Sequence, residues 1–233
     1  MPDARRAVAG HTVLIAGATS ASGVAAASAL AAAGARVIAV GSDTGRLQRL
    51  QGAVPEADVY TCDLTSWPSV QDLVRAVHAE HGTIDGLLHL VGGWRGGGGL
   101  AGQSDEDWDF LHERVITTLR HTTRAFNNDL LASPAGRLAI VSSVTVDNPT
   151  PGGANYAAVK AAAETWMRAV GYGFAKAESA AASVVFVVKA LDGLEADLAD
   201  RFVDLWERDA ASVNNTRIRI GQAPAVPSGG ESE

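Results

Sequence analysis

Short, continuous apolar runs alternate with helix-like stretches along almost the whole of this chain, and that alternation limits the folds open to it. "TVLIAG", "RVIAVG", "DVYTCD", "IDGLLHLVGG", "GRLAIVSS", "AASVVFVV" and "NTRIRI" read as seven strands. Most of them lack the in-and-out alternation of a strand with one face in water, so they are expected to be buried on both faces. Between them, helices are expected over about 44–51, 66–81, 104–131 and 155–176, with another in "LEADLADRFVDLWER". An alanine-rich helix after the first strand is expected to stop at Gly34. Pro68 fits the first turn of its helix, and Asp105 and Glu106 suit the positive end of theirs. Right-handed crossovers then give an α/β fold: a single doubly wound, Rossmann-like domain of about seven parallel strands with helices on both faces. Its ligand crevice is expected at the carboxyl ends of the strands.

A chain of 233 residues suffices for one such core, expected over 1–220. The tail 221–233, rich in Gly, Pro, Ser and Glu, is expected to be disordered. A formal charge of −7 argues against nucleic acid as a partner, since phosphate binding needs a basic face. No apolar run is long enough to span a bilayer, and the start "MPDARRAVAG" has no apolar signal-peptide core, so the expectation is a cytoplasmic protein without a membrane partner. The one cysteine, Cys62, offers neither an internal disulfide nor a thiolate cluster. His78, Glu80 and His81 read as a solvated helix end, so no metal site is expected.

Two stretches carry chemistry. "AGATSASG" joins the first strand to the first helix, where Gly17 and Gly23 let the backbone turn tightly and let a diphosphate approach free helix N–H groups. In "SSVTVDNPTPGGANYAAVK", Tyr156 and Lys160 stand four apart on one helix face, thirteen and seventeen residues after Ser143. A phenol is a poor acid–base at neutral pH unless a cation favours its anion, and a lysine one turn away is expected to supply that field. A hydrolytic role for Ser143 is excluded, because no G-x-S-x-G elbow surrounds it and no histidine follows it.

With these motifs at the ends of successive strands, the chain resembles a divergent member of the short-chain dehydrogenase/reductase family from Val13 to about Ile220. The resemblance implies an NAD(P)-dependent oxidoreductase that reduces a ketone to an alcohol, with Tyr156 as general acid, Ser143 orienting the carbonyl oxygen, and Lys160 acting on the phenol and the nicotinamide ribose. It implies cofactor contacts at Gly17, Thr19, Ser20, Ala21, Ser22 and Gly23, at Ser42, at Asp63 and Leu64, at Val91 and Gly92, and at Tyr156 and Lys160. An NAD-preferring member carries an acid at the end of the second strand. Gly41 and Ser42 stand there instead, with Arg46 nearby, which favours NADP(H) over NAD(H). Asp63 matches the family's acid after the third strand, which contacts the adenine; it also reads as a cap for the next helix, and both roles can hold together. The two long helices imply a homodimer or homotetramer.

The chain departs from the family pattern at several places. Ala21 replaces a glycine of the first loop, and His89, Leu90, Val91 and Gly92 replace Asn-Asn-Ala-Gly. Val115 falls where the family has a catalytic asparagine, and Lys189 and Ala190 replace Pro-Gly. The passage "KALDGLEAD" is shorter than the family's substrate lid, which leaves the glycine-rich "GGWRGGGG" as a candidate mobile cover. Trp94, Arg95 and Lys189 are therefore candidate substrate contacts. Two other readings stay open: a non-redox proton-transfer enzyme catalysing dehydration, isomerisation or cyclisation, and a catalytically silent nucleotide-binding or scaffold subunit.

Overall fold

The computed structural model describes residues 7–221. Of the expected disordered tail only Gly221 is among them; the rest lies outside the described residues. Seven strands form one sheet: β1 (Thr12–Ala16), β2 (Arg36–Gly41), β3 (Asp58–Thr61), β4 (Gly86–His89), β5 (Arg137–Ser143), β6 (Ala182–Val188) and β7 (Thr216–Arg219). Their order is β3-β2-β1-β4-β5-β6-β7, and every neighbouring pair is parallel. The order reverses between β1 and β4, so a crevice opens there at the carboxyl edge.

The helices are α1 (Ala21–Ala32), α2 (Thr44–Ala53), α3 (Trp67–His81), α4 (Asp105–Leu111), α5 (Thr118–Ala132), α6 (Ala154–Lys176), α7 (Glu195–Val203) and α8 (Ala210–Val213). Strand side chains alternate between two cores. Val13, Ile15 and Phe186 pack with Ala26 and Leu30 of α1 and Phe202 of α7. Leu14, Leu87 and Leu138 pack with Val77 of α3, Phe126 of α5 and Met167 of α6. Burial of the strands on both faces explains why they read as unbroken apolar runs. Among the described residues, no helix is long and apolar enough to cross a membrane.

The helix starts follow local rules. Ser20, Ser66 and Ser104 cap α1, α3 and α4, and Asp105, Glu106 and Asp107 occupy the first turn of α4. One expected helix differs. The single helix anticipated over 104–131 is interrupted by a π-helical turn, His112–Thr117. Val115, Ile116, Thr117 and Thr118 are four β-branched residues in succession, poor helix formers, so an inserted residue costs least there. The helix after β6 also ends early, passing at Asp204 into a 3₁₀ turn, and the short α8 follows.

Candidate active site

At the carboxyl end of β1 the chain turns at Gly17, whose φ of 82° is left-handed. A Cβ there would also lie 2.9 Å from the Val91 amide nitrogen, so glycine is required both by conformation and by the close approach of the β4 end. At Gly23 a Cβ would meet the Ala18 carbonyl oxygen at 2.2 Å. Ser20 Oγ accepts from the Gly23 amide at 3.1 Å and donates to the Gly17 carbonyl at 3.3 Å, which closes the loop.

Beyond this loop lies a cleft of about 400 Å³. Gly17, Thr19, Ser20, Ser42, Asp63, Leu64, Val91 and Gly92 wall it, together with Gly41 and Arg46. Ser22 and Gly23 are buried behind the wall and shape the turn without lining it. Ala21 is exposed and stands outside the wall, so the methyl that replaces a glycine does not narrow the cleft. The residues present therefore fit a dinucleotide: a glycine turn packed tightly against β4, a capped helix start, and an elongated polar cleft across the switch point.

At the rim, Gly41, Ser42 and Arg46 face the cleft and Asp43 does not. Asp43 caps α2 by accepting from the Arg46 amide at 2.8 Å, a bond that holds its carboxyl below the usual range. Asp63 is not a helix cap, since Ser66 fills that place. Its Oδ1 instead accepts from the Thr65 amide and hydroxyl at 2.9 and 2.7 Å, closing a turn at the cleft wall. Glu113, Arg114 and Thr118 also wall the cleft. Sequence reading missed them, because the π turn re-aims this stretch and leaves no signature in apolar spacing.

His89 is buried beneath the cleft, with Nε2 3.1 Å from Thr118 Oγ1. The threonine hydroxyl gives its proton to the Arg114 carbonyl at 2.6 Å, so it accepts from His89, which fixes an Nε2–H tautomer. Burial, and next the Lys160 charge, push the imidazole down to about 3. His89 is thus a neutral structural donor at any physiological pH.

The structure brings Ser143, Tyr156 and Lys160 together. Ser143 ends β5, is 3% exposed and accepts from the Thr145 amide at 3.2 Å. Tyr156 lies in the first turns of α6 and is half-buried. Lys160 donates to the Val141 carbonyl at 2.8 Å, and its Nζ is 5.7 Å from the Tyr156 ring centroid. A Cβ on Gly92 would lie 3.9 Å from that Nζ, so the ammonium borders the cleft wall. One expectation is corrected here. Burial raises the phenol above its ordinary value, and the opposing influence is the Ser143 hydroxyl, not Lys160. Lys160 is itself lowered to about 8 by burial, against the pull of Glu164. The ammonium is tied to β5 and stands over the Tyr156 ring.

The three candidate substrate residues are not gathered in one place. Trp94 is 66% exposed. Arg95 stacks over Phe110, 4.4 Å from its centroid, and lines a separate groove with Glu106, Asp107 and Asp109. Lys189 is exposed and lines a further cavity beside Val144. The glycine-rich stretch, expected to be mobile, is fastened. Gln103 Nε2 donates to the carbonyls of Gly97, Gly99 and Gly152 at 3.0, 3.2 and 3.1 Å, and its Oε1 accepts from the Asn155 amide at 3.1 Å. The Gly97 amide adds a 2.8 Å bond to the Gly152 carbonyl.

Comparison with known proteins agrees with this architecture. The family described as short chain dehydrogenase matches residues 11–195. A Streptomyces coelicolor protein that bears a ketoacyl-reductase name is 30% identical over 223 residues, covering 91% of this chain and 84% of its own. The 3-oxoacyl-[acyl-carrier-protein] reductase of Haemophilus influenzae is 25% identical, covering 93% and 87%. Among solved structures, an NADPH-bound short-chain oxidoreductase of Pseudomonas aeruginosa with an atypical catalytic centre superimposes with a TM-score of 0.80 at 18% identity, covering 93% of this chain and 98% of that one. At that identity the likeness concerns the fold alone. By its sequence match and its sheet, the chain belongs to the short-chain dehydrogenase/reductase family and is an NAD(P)-dependent oxidoreductase.

Proposed function

We propose that the protein reduces a ketone to an alcohol with NADPH. The observation that carries this reading is the grouping of Ser143, Tyr156 and Lys160, with the Lys160 ammonium beside Gly92 of the cleft wall, together with a β2 end of that cleft lined by Gly41, Ser42 and Arg46 and by no acid of its own. A rim acid would bond a ribose 2′-hydroxyl and repel a 2′-phosphate; Ser42 and Arg46 have the opposite preference. Gly17, Thr19 and Ser20 would hold the diphosphate, Asp63 and Leu64 the adenine, and Val91, Gly92, Tyr156 and Lys160 the nicotinamide ribose. When bound, the reduced nicotinamide supplies hydride.

The chain's own residues manage the proton. A phenol raised by burial stays protonated at neutral pH, the form from which a proton donor must start. Tyr156 gives that proton to the substrate oxygen, while Ser143 donates a hydrogen bond to the same oxygen and stabilises the charge growing on it. Fluorescence titration with NADPH and NADH tests the cofactor half. The reading expects tighter NADPH binding, and Arg46→Ala should weaken NADPH by about fivefold to tenfold while sparing NADH. Equal affinities, unchanged by Arg46→Ala, would remove the preference.

A further inference from the structure

The strand register brings two cations to one cavity at the far side of Ser143. Ser143 pairs with Val188, and Val187 pairs with Arg219. Lys189 directly follows the end of β6, beside the strand end that carries Arg219, and both residues line one cavity. Parallel neighbours lie about 4.8 Å apart, so the chain at Lys189 passes within a few ångströms of the segment that begins at Ser143. Between them is a cavity of about 270 Å³, walled by Val144, Val187, Lys189, Leu194, Arg219 and Ile220 with Gly221. None of these is acidic, although the chain carries a formal charge of −7.

The counter-ions are committed elsewhere. Among the described residues, no carboxylate lies within ion-pairing distance of Lys189. Asp147 reaches Arg219 only at 3.8 Å and is bound at 2.8 Å by Arg217. Two cations facing one cavity with a single distant, shared acid repel each other, and an anion placed between them relieves that repulsion. The passage from β6 to α7 takes only the residues from Lys189 to Leu194, so no long segment covers the cavity. Recognition there rests on charge, which acts over the Debye length, more than on enclosure.

We propose that this cavity binds the anionic end of the substrate, a carboxylate or a phosphate monoester, while the carbonyl of the same molecule meets Ser143 and Tyr156. The proposal rests on the ketone-reductase reading and narrows its substrate class to anionic ketones. The same placement accounts for Lys189 and Ala190 standing where relatives carry Pro-Gly, since the lysine serves substrate at that strand end.

The test compares levulinate, methyl levulinate and hydroxyacetone phosphate as substrates, at low and high salt, with the wild type and a Lys189→Gln/Arg219→Gln double variant. At low salt the wild type should prefer an anionic ketone over the ester by about tenfold in kcat/KM. That ratio should fall towards one in the double variant and at high salt. Whether the carboxylate or the phosphate gains more identifies which anion the cavity fits. Equal use of acid, phosphate and ester by the wild type, or an anion preference that survives in the double variant, would overturn the proposal. If no ketone is reduced, the reductase reading fails on its own. Calorimetric titration with levulinate then decides the cavity: binding to the wild type and not to the double variant supports it, and no binding, or equal binding to both, refutes it.

Discussion

Glu164 accepts a 2.6 Å hydrogen bond from Ser142, the residue immediately before Ser143, and stands one turn beyond Lys160 on α6. Its other contact is Arg217 of β7, whose Nε is 3.0 Å from Oε2. One buried carboxylate thus braces the strand end that carries the serine, and its charge keeps Lys160 from falling further. Glu164→Gln removes the charge and keeps the shape. It should cost about 1–3 kcal/mol of stability, read from the denaturant midpoint, because Arg217 loses the more buried of its two ion partners and keeps only Asp147. It should also move the alkaline limb of the rate profile to lower pH, a shift that a purely structural loss would not produce.

Lys160 is expected to set that limb. Its ammonium is brought down to about 8 by burial, from an ordinary value near 10.5. Ketone reduction should therefore decline as pH rises through about 8, where the cation is lost. The effect on stability has the opposite sense. Between about 8 and 10.5 the unfolded chain holds the proton more firmly than the folded one, so this group makes folding more favourable as pH rises through that window. Relative to a Lys160→Met variant, the wild type should gain stability from pH 8 to 10, which denaturant titrations at a series of pH values would reveal.

Gln103 holds the glycine-rich loop to the segment that leads into α6. Gln103→Ala deletes every one of those side-chain bonds. Amide exchange over residues 95–103 should then accelerate by about tenfold or more, which corresponds to the loss of one or two net hydrogen bonds. Exchange within α1 and β1, on the other side of the cleft, should not change.

How much of this was legible in the sequence follows from the range of each interaction. The seven strands, their parallel sense and most helix starts were readable, because burial on both faces and serine caps leave marks within a few residues. The grouping of Ser143, Tyr156 and Lys160 was readable for the same reason: a strand end and one helical turn fix their spacing. The π turn was not, since its effect is a shift in aim at Arg114 and Thr118 rather than a change in composition. Nor was the field at the phenol. Spacing placed Lys160 beside Tyr156, but a bond to the Val141 carbonyl directs the ammonium over the ring. The clasp formed by Gln103 and the pairing of Lys189 with Arg219 at one cavity join positions about fifty and thirty residues apart, so both required the fold.

The most direct test is a Tyr156→Phe variant assayed beside the wild type for oxidation of NADPH by a ketone, with NADPH binding measured on the same samples. The expected result is intact binding with a rate about 10²–10⁴-fold lower, the range that loss of a positioned proton donor produces. A phenylalanine variant that binds NADPH and reduces the ketone at the wild-type rate would contradict the assignment of the proton to this phenol.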